Sequence, residues 1–289
     1  MQPTRRHFSP STLGSPFRFV EQDTEQNSEK DLIMIFNNLK NSFVSAAAFL
    51  VLAGTAVPVL AAPIKNIVLV HGAFVDGSGW KAVYDILVKG GYSVTVVQHP
   101  LTSLEEDVAA TKRILDRQPG PSILVGHSYG GAVITEAGTD SHVAALVYIA
   151  AHAPDEGETE AANGKKFPNA SKPLVKTPDG VVFLDPANFP ADFAADLPRE
   201  QAEFMAHAQT LTAAKVFTTP ITNPAWKLKP SWYLVAKDDK TINPDLERMY
   251  AERAHSHKVE VEGASHAVYV SHPKEVAALI EEAAQHAIP

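Results

Sequence analysis

The stretch Gly126-His127-Ser128-Tyr129-Gly130-Gly131 sets a serine hydroxyl among glycines, and a hydroxyl so placed is a candidate nucleophile. The apolar run 122–125 leads into it, Ala132-Val133-Ile134 leads out, and Pro119-Gly120-Pro121 breaks the chain upstream. This reads as strand, sharp turn and helix, with glycines letting the backbone turn tightly beneath the serine. A serine there stands at a helix N-terminus, where unpaired N–H groups and the macrodipole favour an alkoxide or a neighbouring oxyanion. Gly-x-Ser-x-Gly also arises by chance in glycine-rich turns, so the serine gains meaning only from partners elsewhere in the chain.

An acyl-transfer serine needs a base, a group that orients the base, and N–H donors for the developing oxyanion. His266, in Gly263-Ala264-Ser265-His266, follows the last strand-like run, 258–261. A loop at that point can bring an imidazole over Ser128. His272 precedes Pro273 and reads as the opening of the last helix, and His286 as a solvated residue near the tail. His255 and His257 form a His-x-His pair without a further ligand at a usable spacing, so a solvated helix end is the better reading than a metal site. For the orienting carboxylate, Lys237-Asp238-Asp239-Lys240 ends the run 232–236, and spacing alone leaves Asp238 and Asp239 open. The Tyr129 amide, next to the serine, is one oxyanion donor. The loop His71-Gly72-Ala73-Phe74 offers a second, with His71 shaping that turn rather than serving as base.

The elements that must hold these groups alternate. Strands are expected over 66–70, 93–97, 122–125, 143–151, 231–236 and 258–261, and helices over 80–88, 104–115, 245–254 and 273–287, besides the one after Ser128. Short continuous Val/Ile/Leu runs alternating with amphipathic helices imply a parallel sheet covered on both faces. In such sheets ligands bind beyond the carboxyl ends of the strands, where the polar residues above fall. Between Ala151 and Ser231 the rhythm breaks for roughly eighty residues, too long for a structureless loop inside a compact domain. A short strand over 181–184 and a helix over 199–212 are expected within it. Phe183, Phe189, Phe193, Phe204, Met205, Phe217 and Trp226 need something to pack on, so 152–229 reads as a cap insertion rather than a linker.

Composition narrows the chemistry. The 289 residues give room for one large α/β domain. A net charge of -8 with no cluster of Lys and Arg argues against nucleic acid. With no cysteine there is no disulfide framework, thiolate site or cysteine nucleophile. Residues 1–33 are polar and aperiodic and read as a disordered extension. Residues 34–61 read as a signal peptide: a short start from Met34 with Lys40, an apolar run 43–60, and Val59-Leu60-Ala61 before Ala62 as a cleavage site. The apolar run also approaches the length of a bilayer span; Gly54, Pro58 and the small residues near Ala61 favour cleavage. The expected location is periplasmic or secreted, with no stable membrane span after cleavage.

Val68-Leu69-Val70-His71-Gly72-Ala73-Phe74, the Ser128 hexapeptide, 143–154 and Gly263-Ala264-Ser265-His266 together resemble the α/β-hydrolase superfamily. Within it they are similar to the compact bacterial hydrolases that resemble plant methylesterases and hydroxynitrile lyases. The chain order Ser128, aspartate, His266 is that of the superfamily. The resemblance covers nearly all of 62–289 and implies an α/β-hydrolase fold whose mainly parallel sheet has about six strands, since the two leading antiparallel strands of larger relatives are missing here. Asp239-Lys240-Thr241-Ile242-Asn243-Pro244 matches the family pattern of acid, spacers, aliphatic and proline, which selects Asp239. The resemblance assigns the second oxyanion amide to Ala73, with Phe74 the close alternative, and implies no metal or organic cofactor. It makes the expected activity cleavage of a small-molecule carboxylic ester with an apolar part, by a Ser-His-Asp triad through an acyl-enzyme. Cyanohydrin lyase or acyltransferase chemistry on the same residues is the alternative, with Lys237 a candidate charged group. A non-catalytic ligand-binding protein is the second alternative. A haloalkane dehalogenase would want a carboxylate where Ser128 stands.

Overall fold

Runs of β-branched and leucine residues, buried along their length, form the middle of the molecule. The strands are β1 (Asn66–Val70), β2 (Ser93–Val97), β3 (Ser122–Ser128), β4 (Val143–Ala151), β5 (Ser231–Ala236) and β6 (His257–Val261), in a computed structural model that describes residues 63–287. The expected extension over 1–33 and signal peptide over 34–61 lie outside the described residues. All six strands pair in parallel, in the order β2-β1-β3-β4-β5-β6. Parallel pairing requires a crossover after each strand, and the helices provide it. They are α1 (Lys81–Lys89), α2 (Leu104–Leu115), α3 (Gly130–Ala137), α4 (Glu160–Lys166), α5 (Phe189–Asp192), α6 (Arg199–His207), α7 (Pro244–Arg253), α8 (Val268–Ser271) and α9 (Pro273–His286).

The alternation of side chains along a strand divides the apolar residues into two cores. Ile67, Leu69, Ile123, Val125, Val147 and Ile149 pack with α1, α8 and α9. Val68, Val70, Leu124, Leu146 and Tyr148 pack with α2, α3, α7 and residues from the β4–β5 insertion. Each fully buried Leu, Ile or Val contributes about 1.5–3 kcal/mol relative to exposure. The central strands β1, β3, β4 and β5 are buried throughout, whereas the edge strand β2 is mostly half-buried and the edge strand β6 is largely open to solvent. Lys258 and Glu260 put charges on the β6 edge, which discourages further strand pairing. Among the described residues no helix is long and apolar enough to cross a membrane.

The β4–β5 insertion carries α4, α5, α6 and a small antiparallel sheet of Val175–Lys176, Val181–Phe183 and Thr212–Ala213. The sequence led us to expect helix over 199–212, but α6 stops at His207. The Gln209 side chain explains the stop. It accepts from the Leu184 amide (3.0 Å) and donates to the Leu184 and Ala206 carbonyls (2.8 and 2.9 Å). That turns the chain so that β-branched Thr212 joins the strand at Val182. The α4 turn was not anticipated; Thr159 caps it by accepting from the Ala162 amide.

Candidate active site

Ser128 ends β3 with φ at 54°, a left-handed setting rare for a side-chain-bearing residue. The β3–β4 register shifts between His127 and Ser128, so the serine is offset from the regular pairing, opposite Ala151, as the chain turns into α3. Close approach forces glycine at two neighbouring points. A Cβ on Gly131 would lie 2.2 Å from the His152 carbonyl oxygen, and one on Gly72 would lie 2.7 Å from the Ser128 Cβ. The Gly72 loop therefore presses against the serine.

The structure brings Ser128, His266 and Asp239 together although they are far apart in sequence. His266 Nε2 is 2.8 Å from Ser128 Oγ, and His266 Nδ1 is 2.5 Å from Asp239 Oδ2. The other oxygen of Asp239 accepts from the Thr241 and Ile242 amides at 2.7 and 2.9 Å. The carboxylate thus fixes the Nδ1–H tautomer and leaves Nε2 as the acceptor for the serine hydroxyl. All three side chains are buried. Asp238 is exposed, with its amide bonded to the Ala264 carbonyl, so of the two aspartates only Asp239 reaches the imidazole.

Two supports were not read from sequence. His127 Nε2–H donates to the His266 carbonyl at 2.9 Å, and Phe193 stands edge-on to both rings. Burial, and then His266 beside it, hold His127 well below the usual histidine range, so it is a neutral donor. The signal was its position directly before the serine on a buried strand. The second support lies under the Gly72 loop, where the His71 ring stacks on His99 with centroids 3.8 Å apart and planes 8° from parallel. His99 Nε2–H donates to the His71 carbonyl (3.0 Å), and His71 Nδ1–H to that of Gly72 (2.9 Å). Burial and the adjoining His99 lower His71 to about 4. Asp107, with His99 Nδ1 3.2 Å away, accepts from Tyr129 Oη–H (2.7 Å) and the Leu101 amide (2.9 Å). This network ties the turn after β1 to the residue after Ser128.

The Phe74 amide donates to Thr212 Oγ1 at 3.3 Å. The Ala73 and Tyr129 amides donate to no described residue. Ser128 opens onto a cavity of about 380 Å³ whose walls include Phe74, Phe167, Leu184, Phe217 and Leu246. His272 precedes Pro273 at the head of α9, with Nδ1 3.4 Å from Asp196, while His255, His257 and His286 are exposed. Lys237 pairs with Glu262 and does not line the cavity. Among the described residues, the grouping with metal-ligand spacing is Asp116, Asp140 and His142. It precedes β4, at the amino ends of the strands, and Asp140 is already bonded to His142.

The model of a family described as the alpha/beta hydrolase family matches residues 67–279. A pyrethroid hydrolase of Sphingobium wenxiniae is 29% identical over 250 residues, covering 76% of this chain and 87% of that protein. The crystal structure of a pyrethroid hydrolase from Sphingobium faniae is similar with a TM-score of 0.66 at 25% identity, over 77% of this chain and 98% of that one. A methylesterase from Arabidopsis, at 20% identity, shares the fold with a TM-score of 0.63 over 76% of this chain and 98% of its own.

Proposed function

The chain belongs to the alpha/beta hydrolase family, and from that premise we propose that it is a serine hydrolase cleaving carboxylic esters through an acyl-enzyme. The observation that carries this reading is the pair of hydrogen bonds linking Ser128 to His266 and His266 to Asp239. Ser128 Oγ attacks the carbonyl carbon while His266 Nε2 takes its proton; the same imidazolium then protonates the leaving alcohol. Asp239 holds the tautomer and stabilises the imidazolium. The Ala73 and Tyr129 amides receive the oxyanion; the bond of the Phe74 amide to Thr212 favours Ala73 over Phe74 as the second donor. Water, activated by His266, releases the acid. The relatives named as a pyrethroid hydrolase and a methylesterase support hydrolysis, and the apolar cavity walls support an ester with an apolar part.

The test is Ser128→Ala, read with p-nitrophenyl esters of graded length. Turnover falls by at least about 10⁴-fold while the melting temperature is kept, and a fluorophosphonate labels the unaltered protein at Ser128. Turnover retained in the variant overturns the assignment; absent labelling with intact folding would favour a binding protein. Lyase chemistry gains no support from Lys237, whose ammonium is taken by Glu262. The reading extends to export: the apolar run 43–60 followed by small residues favours cleavage after Ala61, which sequencing the mature N-terminus tests.

A further inference from the structure

Glu160, the first residue of α4, is only 5% exposed, and neither of its carboxyl oxygens has a hydrogen-bond partner. Buried polar groups are normally satisfied, so an orphan carboxyl calls for a missing partner. Its Oε2 lies 3.3 Å from His152 Nε2. On the far side of that ring, Nδ1 is 3.5 Å from Tyr250 Oη, which itself accepts from Asn163 Nδ2 at 3.0 Å. The Tyr250 proton is thereby free to face His152, which places the neutral ring's single N–H on Nε2, beside Glu160 but not aligned as a hydrogen bond to it. His152 also stands beside the nucleophile, for its amide donates to the Ser128 carbonyl at 3.1 Å. Ser128, His152 and Glu160 line one cavity together with apolar side chains.

Among the described residues no Lys or Arg pairs with Glu160, although Lys172 lines the same cavity. Arg253, on the adjoining α7, is held by Glu158 at 3.0 Å and by the Ala153 carbonyl at 2.9 Å. Burial raises the Glu160 carboxyl well above its usual range, and burial together with nearby His266 lowers His152 to about 3, so the surroundings favour the uncharged form of each. An uncharged carboxylic acid both donates and accepts. A hydroxyl does the same, so it meets this group whichever oxygen carries the proton. An alkyl group in that place leaves the acid unsatisfied, and an ionised one would lose its water without gaining a counter-charge.

We infer that Glu160, backed by His152, is a specificity subsite, and that the ester cleaved here carries a hydroxyl that hydrogen-bonds to the Glu160 carboxyl along the α4 wall. This rests on the ester-hydrolase reading above, and the test separates the two.

The measurement is kcat/KM for matched pairs: p-nitrophenyl esters of ω-hydroxy acids against methyl-ended acids of equal heavy-atom length, and acetates of diols against those of matching alkanols. In the unaltered protein at least one length shows a preference of about tenfold or more for the hydroxyl, the discrimination expected when an analogue leaves a buried polar group unpaired. Glu160→Leu brings that ratio to near one or inverts it; Glu160→Gln, which keeps a donor and an acceptor, retains part of it. The ratio is internal to each variant, and fluorophosphonate labelling with a thermal melt establishes that the variant is folded. Should Glu160→Leu fail to fold, the unaltered protein and Glu160→Gln still decide. Cleavage of both series with no preference at any length overturns the inference while the hydrolase reading stands. A preference that survives Glu160→Leu assigns the hydroxyl to another wall and also overturns it. Cleavage of no ester by the unaltered protein removes the hydrolase reading and the inference with it.

Discussion

The β3 turn and the β4–β5 insertion meet at one cavity, yet they are built by different rules. Ser128 is fixed by its neighbours in sequence: a buried strand, a left-handed residue and glycines that leave no room for a Cβ. The insertion is fixed by contacts across the molecule. Its α4 and α5 are short, its strands are two or three residues long, and Gln209 and Thr212 act on partners far away in the chain. In the proposed reaction the first region carries the nucleophile and leaves little room for change. The second lines the cavity that the nucleophile opens on, and its parts are separately adjustable.

Substitutions should affect the two regions unequally. The largest effect is expected where the rigid region hides an acceptor. Asp107→Ala leaves the Tyr129 hydroxyl and the Leu101 amide unpaired in the core, and urea unfolding should show a loss of roughly 3–5 kcal/mol. Gly131→Ala comes next. Its Cβ would meet the backbone at His152, so about 1–3 kcal/mol of stability and about 10²-fold in kcat should be lost together, and unchanged kinetics would mean that the turn is more compliant than described.

The insertion should respond more mildly. Glu158 holds Arg253 of α7 at 3.0 Å and accepts from Asn163 at 2.8 Å. Glu158→Gln should lower stability by about 1 kcal/mol, shift the ester-length preference, and leave kcat on the shortest ester within about twofold. A drop in kcat as large as that of Gly131→Ala would erase the distinction between the regions.

The two regions also separate by pH. His71 titrates near 6.5 unfolded and about 4 folded, so below 6.5 the unfolded chain binds a proton that the fold refuses. Stability at the Gly72 loop therefore declines from pH 6.5 down to about 4, and His71→Asn should flatten that limb of an unfolding free-energy profile. For Glu158, burial would raise the carboxyl, but hydrogen bonds from Arg253, the Asp155 amide and Asn163 outweigh it and hold it at about 2. Its contribution is present above 4.5 and fades from there toward 2, and Glu158→Gln should flatten that lower limb alone.

What could be read from sequence follows the same division. Gly126 to Gly131, the Gly72 turn and the six strands were legible because they depend on local rules, glycine placement and hydrophobic periodicity. His266 followed from the loop after the last strand. Asp239 needed family resemblance to separate it from Asp238, because one residue of spacing decides which carboxylate is buried. The His127 bond to the His266 carbonyl, the stack of His71 on His99, and the approach of Glu160 to His152 were not legible, since each depends on how separate elements pack rather than on spacing. The length of α6 was overestimated for the same reason: Leu184, a neighbour only in the folded chain, supplies the bonds that turn the backbone after His207.

The left-handed backbone at Ser128 has a consequence for how this chain can change over time. A side chain in that region carries roughly 1–3 kcal/mol of strain, which glycine would relieve. Glycine at 128 would therefore relax the turn, and under the proposed reaction it would also remove the nucleophile. Durability and the proposed chemistry thus make opposite demands on this one position.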